Sequence, residues 1–283
     1  MKLADKVSMD DKKLRFGIIQ GRLIKSPSNQ LQWFPQEHWK SEFFLAASLG
    51  IDFIELIAER NHNPNNPIWT EEGIEAIKEL VYLNKLSLYT FCNDFIIDHS
   101  LTKDNKVLEQ NLHLISRGAL LGCKKFILPL FEKSELTIEN FLEYVTPLRA
   151  IADKANENGI TICLETILNG NELIQVLDYL KHPSISVVFD TGNRVAFGHD
   201  LSGDIKLLEN RISHVHIKDK NKENENVILG TGLVNFLQVF EALADINYIG
   251  PYTFETQRGK NPLTTIKHNM CLVDFFYKES FSR

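Results

Sequence analysis

Two imidazoles and an ammonium group alternate along one short stretch of the chain, Ile212–Asp219, which reads Ile-Ser-His-Val-His-Ile-Lys-Asp. This alternation is typical of a β-strand, and it places His214, His216 and Lys218 on one face. Buried polar groups cost free energy unless they have partners, and histidine is the commonest metal ligand in proteins. Taken alone, the pattern is better explained by a pair of hydrogen-bonded core histidines. The ends of three other apolar segments change that balance.

Carboxylates end those three segments in the same phase. Glu165 ends Thr-Ile-Cys-Leu-Glu, Asp190 ends Ser-Val-Val-Phe-Asp and Glu255 ends Tyr-Thr-Phe-Glu. A helix cap or a loop ion pair is the better explanation of any one of them. Three carboxylates that converge without a cation, however, would repel one another and raise their own pKa values. Together with His216 they therefore predict a site for one divalent metal ion, Mn²⁺, Mg²⁺, Co²⁺ or Zn²⁺.

A repeated alternation of strands and helices must position these residues. The predicted strands are Phe16–Gln20, Phe53–Leu56, Ser87–Phe91, Lys125–Leu130, Ile160–Glu165, Ile185–Asp190, Ile212–Ile217 and Tyr252–Glu255. Amphipathic helical patterns fill the intervals. Eight such units without an obvious linker predict one α/β domain over residues 14–283, a (β/α)8 TIM barrel with its active site at the C-terminal strand ends. An open doubly wound sheet is the alternative, but no Gly-rich phosphate loop follows the first strand.

Composition narrows the class of protein. The chain has 283 residues, 43% of them hydrophobic, and a formal net charge of −6, which argues against a broad basic surface for nucleic acid or anionic membrane. The four cysteines are scattered, as expected in a reducing compartment. Residues 1–13 predict a flexible polar tail rather than a signal peptide, and no apolar run is long enough to span a bilayer. We therefore expect a cytoplasmic protein with no nucleic-acid or membrane partner. The sequence leaves open whether it forms a homo-oligomer.

The same motifs resemble the xylose-isomerase-like sugar phosphate isomerase/epimerase family. The matching stretches are Leu164-Glu165, Phe189-Asp190-Thr-Gly-Asn193, His214-Val-His216-Ile-Lys-Asp219, Leu229-Gly-Thr-Gly232 and Thr253-Phe-Glu255, within about residues 15 to 278. Likeness to the family's ketose 3-epimerases implies that Glu165, Asp190, His216 and Glu255 hold one divalent metal ion. Asn193 departs from the pattern, because many members carry His there. The third and fourth strands lack the extra histidines of the family's apurinic-site endonucleases, which disfavours a nuclease.

A metal ion flanked by Glu165 and Glu255 suits proton transfer next to a carbonyl group. The ion would chelate the carbonyl and the neighbouring hydroxyl of a sugar or sugar phosphate and stabilise an enediolate as a Lewis acid. The two glutamates would act as acid and base on opposite faces, which gives epimerisation. Return of the proton on one face would give aldose–ketose isomerisation instead. A metal-dependent keto-sugar or keto-inositol dehydratase and a non-catalytic carbohydrate-binding barrel are the alternatives.

Further polar residues near the strand ends are candidates for contacts with this small-molecule substrate. Arg22, Lys218 and Arg258 could hold a phosphate or carboxylate, although surface ion pairs explain each of them about equally well. Glu55, near the end of the second strand, could bind a sugar hydroxyl or cap a loop. The predicted substrate-binding set is Arg22, Glu55, Asn193, His214, Lys218 and Arg258.

Overall fold

Residues 14–27 and 30–282 are described by the computed structural model. Its eight parallel strands pair in chain order and close into a barrel, which confirms the predicted (β/α)8 architecture. The strands are β1 Phe16–Ile19, β2 Phe53–Ala58, β3 Thr90–Asn93, β4 Lys125–Leu130, β5 Thr161–Thr166, β6 Ile185–Asp190, β7 Ile212–Ile217 and β8 Tyr252–Phe254. The predicted tail, residues 1–13, lies outside the described residues, so the division into tail and single domain stays a prediction.

Helices surround the barrel in the intervals that the sequence predicts. They are α1 Trp39–Leu49, α2 Glu71–Leu83, α3 Phe95–Asp98, α4 Asn105–Leu120, α5 Phe141–Glu157, α6 Gly170–Leu180, α7 Thr191–Ala196, α8 Leu201–Leu208, α9 Phe236–Asp245 and α10 Pro262–Phe281. Side-chain caps explain several starts: Asn169 and Glu172 form a reciprocal capping box at α6, and Thr70 accepts a hydrogen bond from Gly73 at α2. None of the described helices combines the length and the apolar character needed to cross a bilayer.

The third strand differs most from the prediction. It was expected at Ser87–Phe91, but β3 spans Thr90–Asn93, and Ser87 forms only an isolated bridge. In the structure Asn93 is fully buried, and its side-chain Nδ2 donates to Oδ1 of Asn111 on α4 at 2.9 Å, which gives the N–H group a partner inside the core. As a result β3 reaches the barrel mouth two residues later than predicted, and Asp94 follows at that rim.

Apolar side chains fill the barrel interior beneath the mouth. A small cluster inside the barrel contains Ile19, Phe34, Ile57, Cys92, Ile127, Cys163 and Val188, whereas the larger core lies between the strands and the helices. Phe53 also packs here, with its ring centroid 6.4 Å from that of His214. A Cβ atom on Gly17 would lie 2.2 Å from the Phe53 ring, so this close approach requires glycine. The packed interior leaves the C-terminal mouth as the place for a site.

The register of the late strands aligns their polar ends. Asp190 lies opposite His216, and His216 lies opposite Thr253. Between β6 and β7 the register shifts, because Val187 pairs with Ile212 while Val188 pairs with His214. Ser213 is therefore an extra residue on β7, and such a bulge re-aims the side chains that follow it.

Candidate functional site

Four ligand-type side chains meet at the C-terminal mouth of the barrel. Glu165, Asp190, His216 and Glu255 each place one carboxylate oxygen or ring nitrogen within 4.8 Å of the others. They come from β5, β6, β7 and the residue after β8, and all four are buried. Nδ1 of His216 lies 3.1 Å from Oε2 of Glu255 and 3.9 Å from Oδ2 of Asp190. We call these four residues the acidic cluster.

Asp190 has a structural role as well as its place in the cluster. Its Oδ1 accepts a hydrogen bond from the backbone N–H of Asn193 at 2.5 Å and caps α7. Its Oδ2 is buried and has no hydrogen-bond partner among the described residues, although Nζ of Lys218 lies 3.2 Å away. The helix cap therefore occupies one oxygen and leaves the other facing the cluster.

The two central glutamates have opposite electrostatic surroundings. Burial, with the neighbouring charges of Glu255 and Asp190, raises the pKa of Glu165 to about 8. Burial also acts on Glu255, but the charges of Lys218 and His216 outweigh it and hold the pKa of Glu255 well below its usual value. Near neutral pH the chain alone therefore keeps a proton on Glu165 and a charge on Glu255.

The acidic cluster fits a divalent cation. Three carboxylates and one imidazole are a donor set for such ions, and the unpartnered buried oxygen of Asp190 is what a cation would satisfy. A bound cation would also remove the repulsion that raises the pKa of Glu165. Glu165, Asp190, His216 and Glu255 are therefore the residues that could hold a metal ion here.

Glu55 and His214 lie beneath the cluster, away from solvent. Oε1 of Glu55 lies 3.1 Å from Nε2 of His216, and its Oε2 lies 3.5 Å from Nε2 of His214. Burial would raise the pKa of Glu55, but the charge on His216 and the bonds from both imidazoles lower it to about 2. An ionised Glu55 that accepts from Nε2 of His216 leaves Nδ1 of that ring to face the cluster.

Fully buried, Glu55 and His214 do not reach the mouth. Nε2 of His214 lies 2.9 Å from Oγ1 of Thr253. Neither Glu55 nor His214 lines the cavity into which the acidic cluster opens. The sequence analysis predicted that Glu55 and His214 contact the substrate. In the structure β2 and β7 carry both side chains below the level of the cluster.

Lys218 and Asn193 connect the two glutamates at the mouth. Nζ of Lys218 lies 2.9 Å from Oε1 of Glu255 and donates to Oδ1 of Asn193 at 3.2 Å. Asn193 in turn donates from Nδ2 to Oε1 of Glu165 at 2.7 Å. Both residues line the cavity, so they are placed where a substrate would contact them.

The two predicted arginine contacts lie behind the mouth. Arg22 is buried and donates to the side chain of Gln32 at 2.7 Å, with Glu255 3.9 Å away. Arg258 donates to three backbone carbonyls, those of Gly21, Gln30 and Leu31, at 2.8, 2.5 and 3.1 Å. Through these hydrogen bonds both arginines support the described part of the loop after β1. Their contact with a substrate stays a prediction.

Glu42 and Asp219 hold further loops at the mouth. Glu42 on α1 accepts from the backbone N–H of Gly21 and of Leu23 at 2.8 and 3.0 Å. Asp219 accepts from the N–H of Gly230, Gly232 and Val234 at 2.8–3.1 Å, which shapes the loop before α9. The predicted motif contained Asp219, whereas nothing in the pattern around Glu42 distinguished it from a surface residue of an amphipathic helix.

The cluster opens into a cavity of about 260 Å³. Residues that the sequence analysis missed also line it, among them Gln32 and Asp94. Gln32 donates to Oε1 of Glu255 at 3.3 Å. Asp94 directly follows β3, whose end was predicted two residues too early. A strand assignment that continued to Asn93 would have identified Asp94 as a residue at the mouth.

Comparison with known proteins places this fold in a family. A family model described as "Xylose isomerase-like TIM barrel" matches residues 43–273. L-ribulose-5-phosphate 3-epimerase UlaE of Salmonella heidelberg is 24% identical over 246 residues, which cover 81% of this chain and 87% of the relative.

Two solved structures illustrate how closely the fold is shared. A structure of L-ribulose 3-epimerase superposes with a TM-score of 0.76 at 17% identity, covering 95% of this chain and 96% of that one. A structure of the IOLI protein with a bound zinc atom superposes with a TM-score of 0.75 at 15% identity, covering 95% of this chain and 100% of that one. Identities this low show the shared fold, and the family model spans most of the chain. The chain therefore belongs to the xylose isomerase-like TIM barrel family.

Proposed function

We propose that this protein is an isomerase-class enzyme, a divalent-metal-dependent epimerase that acts on a ketose or a ketose derivative. The observation that carries the proposal is the acidic cluster, in which two glutamates from β5 and from the end of β8 share one mouth with an aspartate and a histidine. Curated relatives are 3-epimerases of a ketose phosphate, and a solved neighbour binds zinc, which supports both the reaction class and the cation.

Glu165 and Glu255 are the proposed catalytic residues. In one direction Glu255, held ionised by Lys218, removes the proton on the carbon next to the carbonyl group. Glu165, held by the amide of Asn193, delivers a proton to the opposite face of that carbon. The configuration of the carbon is inverted, and the roles exchange in the reverse reaction. The two glutamates have different partners, the amide of Asn193 for Glu165 and the ammonium group of Lys218 for Glu255, which supports such a division of labour.

Glu165, Asp190, His216 and Glu255 would hold the cation. When bound, a divalent ion supplies Lewis-acid stabilisation of the negative charge that develops on the carbonyl oxygen of the substrate. Glu55 orients His216 from below, so we propose it as a positioning residue rather than a substrate contact. Asn193 and Lys218 remain proposed substrate contacts, since both line the cavity.

The test combines cation analysis with deuterium exchange. Purified protein is analysed for bound Mn²⁺, Co²⁺, Zn²⁺ and Mg²⁺, then incubated in D₂O with ketoses and ketose phosphates and followed by NMR. We expect about one ion per chain and deuterium at the carbon next to the carbonyl, in an epimeric product. Glu165→Gln and Glu255→Gln should each abolish the exchange while the fold survives.

Glu59→Gln is the matched control, because Glu59 is a partly buried glutamate near the mouth that belongs to neither the cluster nor its cavity. It should exchange deuterium at the wild-type rate with a monosaccharide substrate. A dehydrated dicarbonyl product would replace the epimerase with a dehydratase. A chain that binds none of the four cations would overturn the proposal.

A further inference from the structure

A second cavity lies beside the one above the acidic cluster. Its volume is about 530 Å³, roughly twice that of the inner cavity, and it lies between the loop after β1, residues 30–36, and the loop after β2, residues 59–64. Gln32 and Asp94 line both cavities, so the two are adjacent. Pockets for small molecules measure roughly 300–1,000 Å³, and the volume of the second cavity lies within this range even without the inner cavity. A substrate confined to the inner cavity would leave most of this space unused.

The walls of the second cavity are aromatic and amide-rich. Trp33 and Phe34 supply the apolar surface, and the side chains of Gln32, Gln36 and Asn61 supply amides that both donate and accept hydrogen bonds. A flat apolar face beside neutral donors and acceptors matches a hydroxyl-bearing ring, whose C–H face is apolar and whose edge is polar.

The charges around the second cavity disfavour an anion. Among the described lining residues Arg60 is the one lysine or arginine, and it lies 2.9 Å from Asp98 and 2.6 Å from Glu132. Two carboxylates, Glu59 and Asp94, also line the cavity. Arg258 also lies near, with its guanidinium carbon 5.9 Å from the centroid of the Trp33 ring, but it donates to three backbone carbonyls. A phosphate bound there would meet the acidic groups, and to gain a guanidinium it would have to displace the ion pairs of Arg60 or the backbone hydrogen bonds of Arg258.

Asp94 supplies a second, independent sign of a ligand. Its side chain is buried, with 2% of the residue exposed, and Oδ2 has no hydrogen-bond partner among the described residues. Oδ1 accepts only the weak bond from the thiol of Cys92 at 3.3 Å. A buried oxygen without a partner is costly, and at the junction of the two cavities a hydroxyl group of a ligand would satisfy it.

We propose that the second cavity is a subsite for an uncharged glycosyl unit, so that the substrate is a ketose carrying a glycosidic extension rather than a phosphate. The inference rests on the proposed function, because it assumes that the ketose unit occupies the inner cavity. Asp94 accepts from hydroxyls at the junction of the two units, and Trp33 packs against the second ring.

Binding and exchange with three probes test the subsite: fructose, fructose 6-phosphate and maltulose, in which a glucosyl unit is attached to fructose. We expect maltulose to bind at least about tenfold more tightly than fructose, with saturation-transfer NMR signals on its glucosyl protons. Trp33→Ala and Asp94→Asn should each lower the ratio of maltulose to fructose affinity about tenfold. Tyr82→Ala removes an exposed aromatic ring on α2 and should leave that ratio unchanged.

The outcomes separate the subsite from the reaction. Tightest binding of fructose 6-phosphate, equal binding of fructose and maltulose, or an unchanged ratio in Trp33→Ala and Asp94→Asn would overturn the subsite. If deuterium enters fructose but maltulose binds no better, the subsite fails and the proposed function stands. If maltulose binding depends on Trp33 but no probe exchanges deuterium, the subsite stands and the proposed function fails.

Discussion

Replacing Glu55 by glutamine tests how the barrel interior prepares the acidic cluster. Glu55 is fully buried, and its two oxygens face the Nε2 atoms of His216 and His214 at 3.1 and 3.5 Å. Glutamine keeps the volume but offers one acceptor oxygen, and its amide N–H₂ opposes the other imidazole. The ring of His216 then loses the charged acceptor of its Nε2–H group, and this acceptor no longer orients Nδ1 towards the cluster.

The expected effect is a loss of cation affinity without loss of the fold. Removing a partner that orients a ligating histidine typically costs about 10–100-fold in metal affinity, or roughly 1.4–2.7 kcal/mol. Glu55→Ala is more severe, because it opens a cavity in the core and removes the buried carboxylate that faces both imidazoles, and we expect about 3–5 kcal/mol of lost stability. The glutamine variant therefore tests the cation affinity of the cluster, and the alanine variant tests the contribution of Glu55 to the stability of the core.

Isothermal titration with Co²⁺ or Mn²⁺ measures the affinity, and urea denaturation of the metal-free chain measures the stability. Glu42→Gln is the matched control, since Glu42 is equally buried but holds backbone N–H groups outside the cluster. We expect its cation affinity to match the wild type. If Glu55→Gln binds the cation within twofold of the wild type, the orienting role of Glu55 is refuted.

Three further predictions concern the cluster and its loops. Because the pKa of Glu165 is raised to about 8, a cation competes with a proton below that pH. Titrations should therefore show affinity rising about tenfold per pH unit towards pH 8, and a flatter profile in Glu165→Gln. Arg258→Ala removes three bonds to loop carbonyls, so limited proteolysis should cut residues 30–36 faster and KM should rise more than kcat falls; unchanged proteolysis would contradict this. Asp219→Ala removes the acceptor of four backbone N–H groups and should lower the free energy of unfolding by roughly 2–4 kcal/mol in urea, whereas Asp245→Ala, at an exposed position, should change it by less than about 0.5 kcal/mol.

The convergence of the acidic cluster could be predicted from the sequence because alternate side chains of a β-strand point to opposite faces of the sheet. Once β5, β6 and β7 are located, Glu165, Asp190 and His216 must face the same interior, whatever the loops do. The predicted ends of β6 and β7 agree with the structure, even though the bulge at Ser213 gives no sign in the sequence.

The substrate-facing residues were harder to predict because loops decide them. Whether a guanidinium such as that of Arg258 faces a ligand or a carbonyl depends on the path of residues 30–36, which lie more than 200 positions away in the chain. Asp94 was missed for a different reason. The burial of Asn93 depends on Asn111, a partner on another element that no local pattern announces.

The pairing of β1 with β8 has a consequence for the order of synthesis. Residues Phe16–Ile18 are synthesised long before Tyr252–Phe254, their partners on one edge of β1, and Arg258 arrives still later to fix the loop after β1. A nascent chain therefore exposes the unpaired edge of β1 until β8 has been made, at about 5–20 residues per second. Glu255 directly follows β8, so the acidic cluster stays incomplete until that strand has left the ribosome. Premature termination anywhere before β8 yields an open sheet that lacks both closure and the fourth ligand.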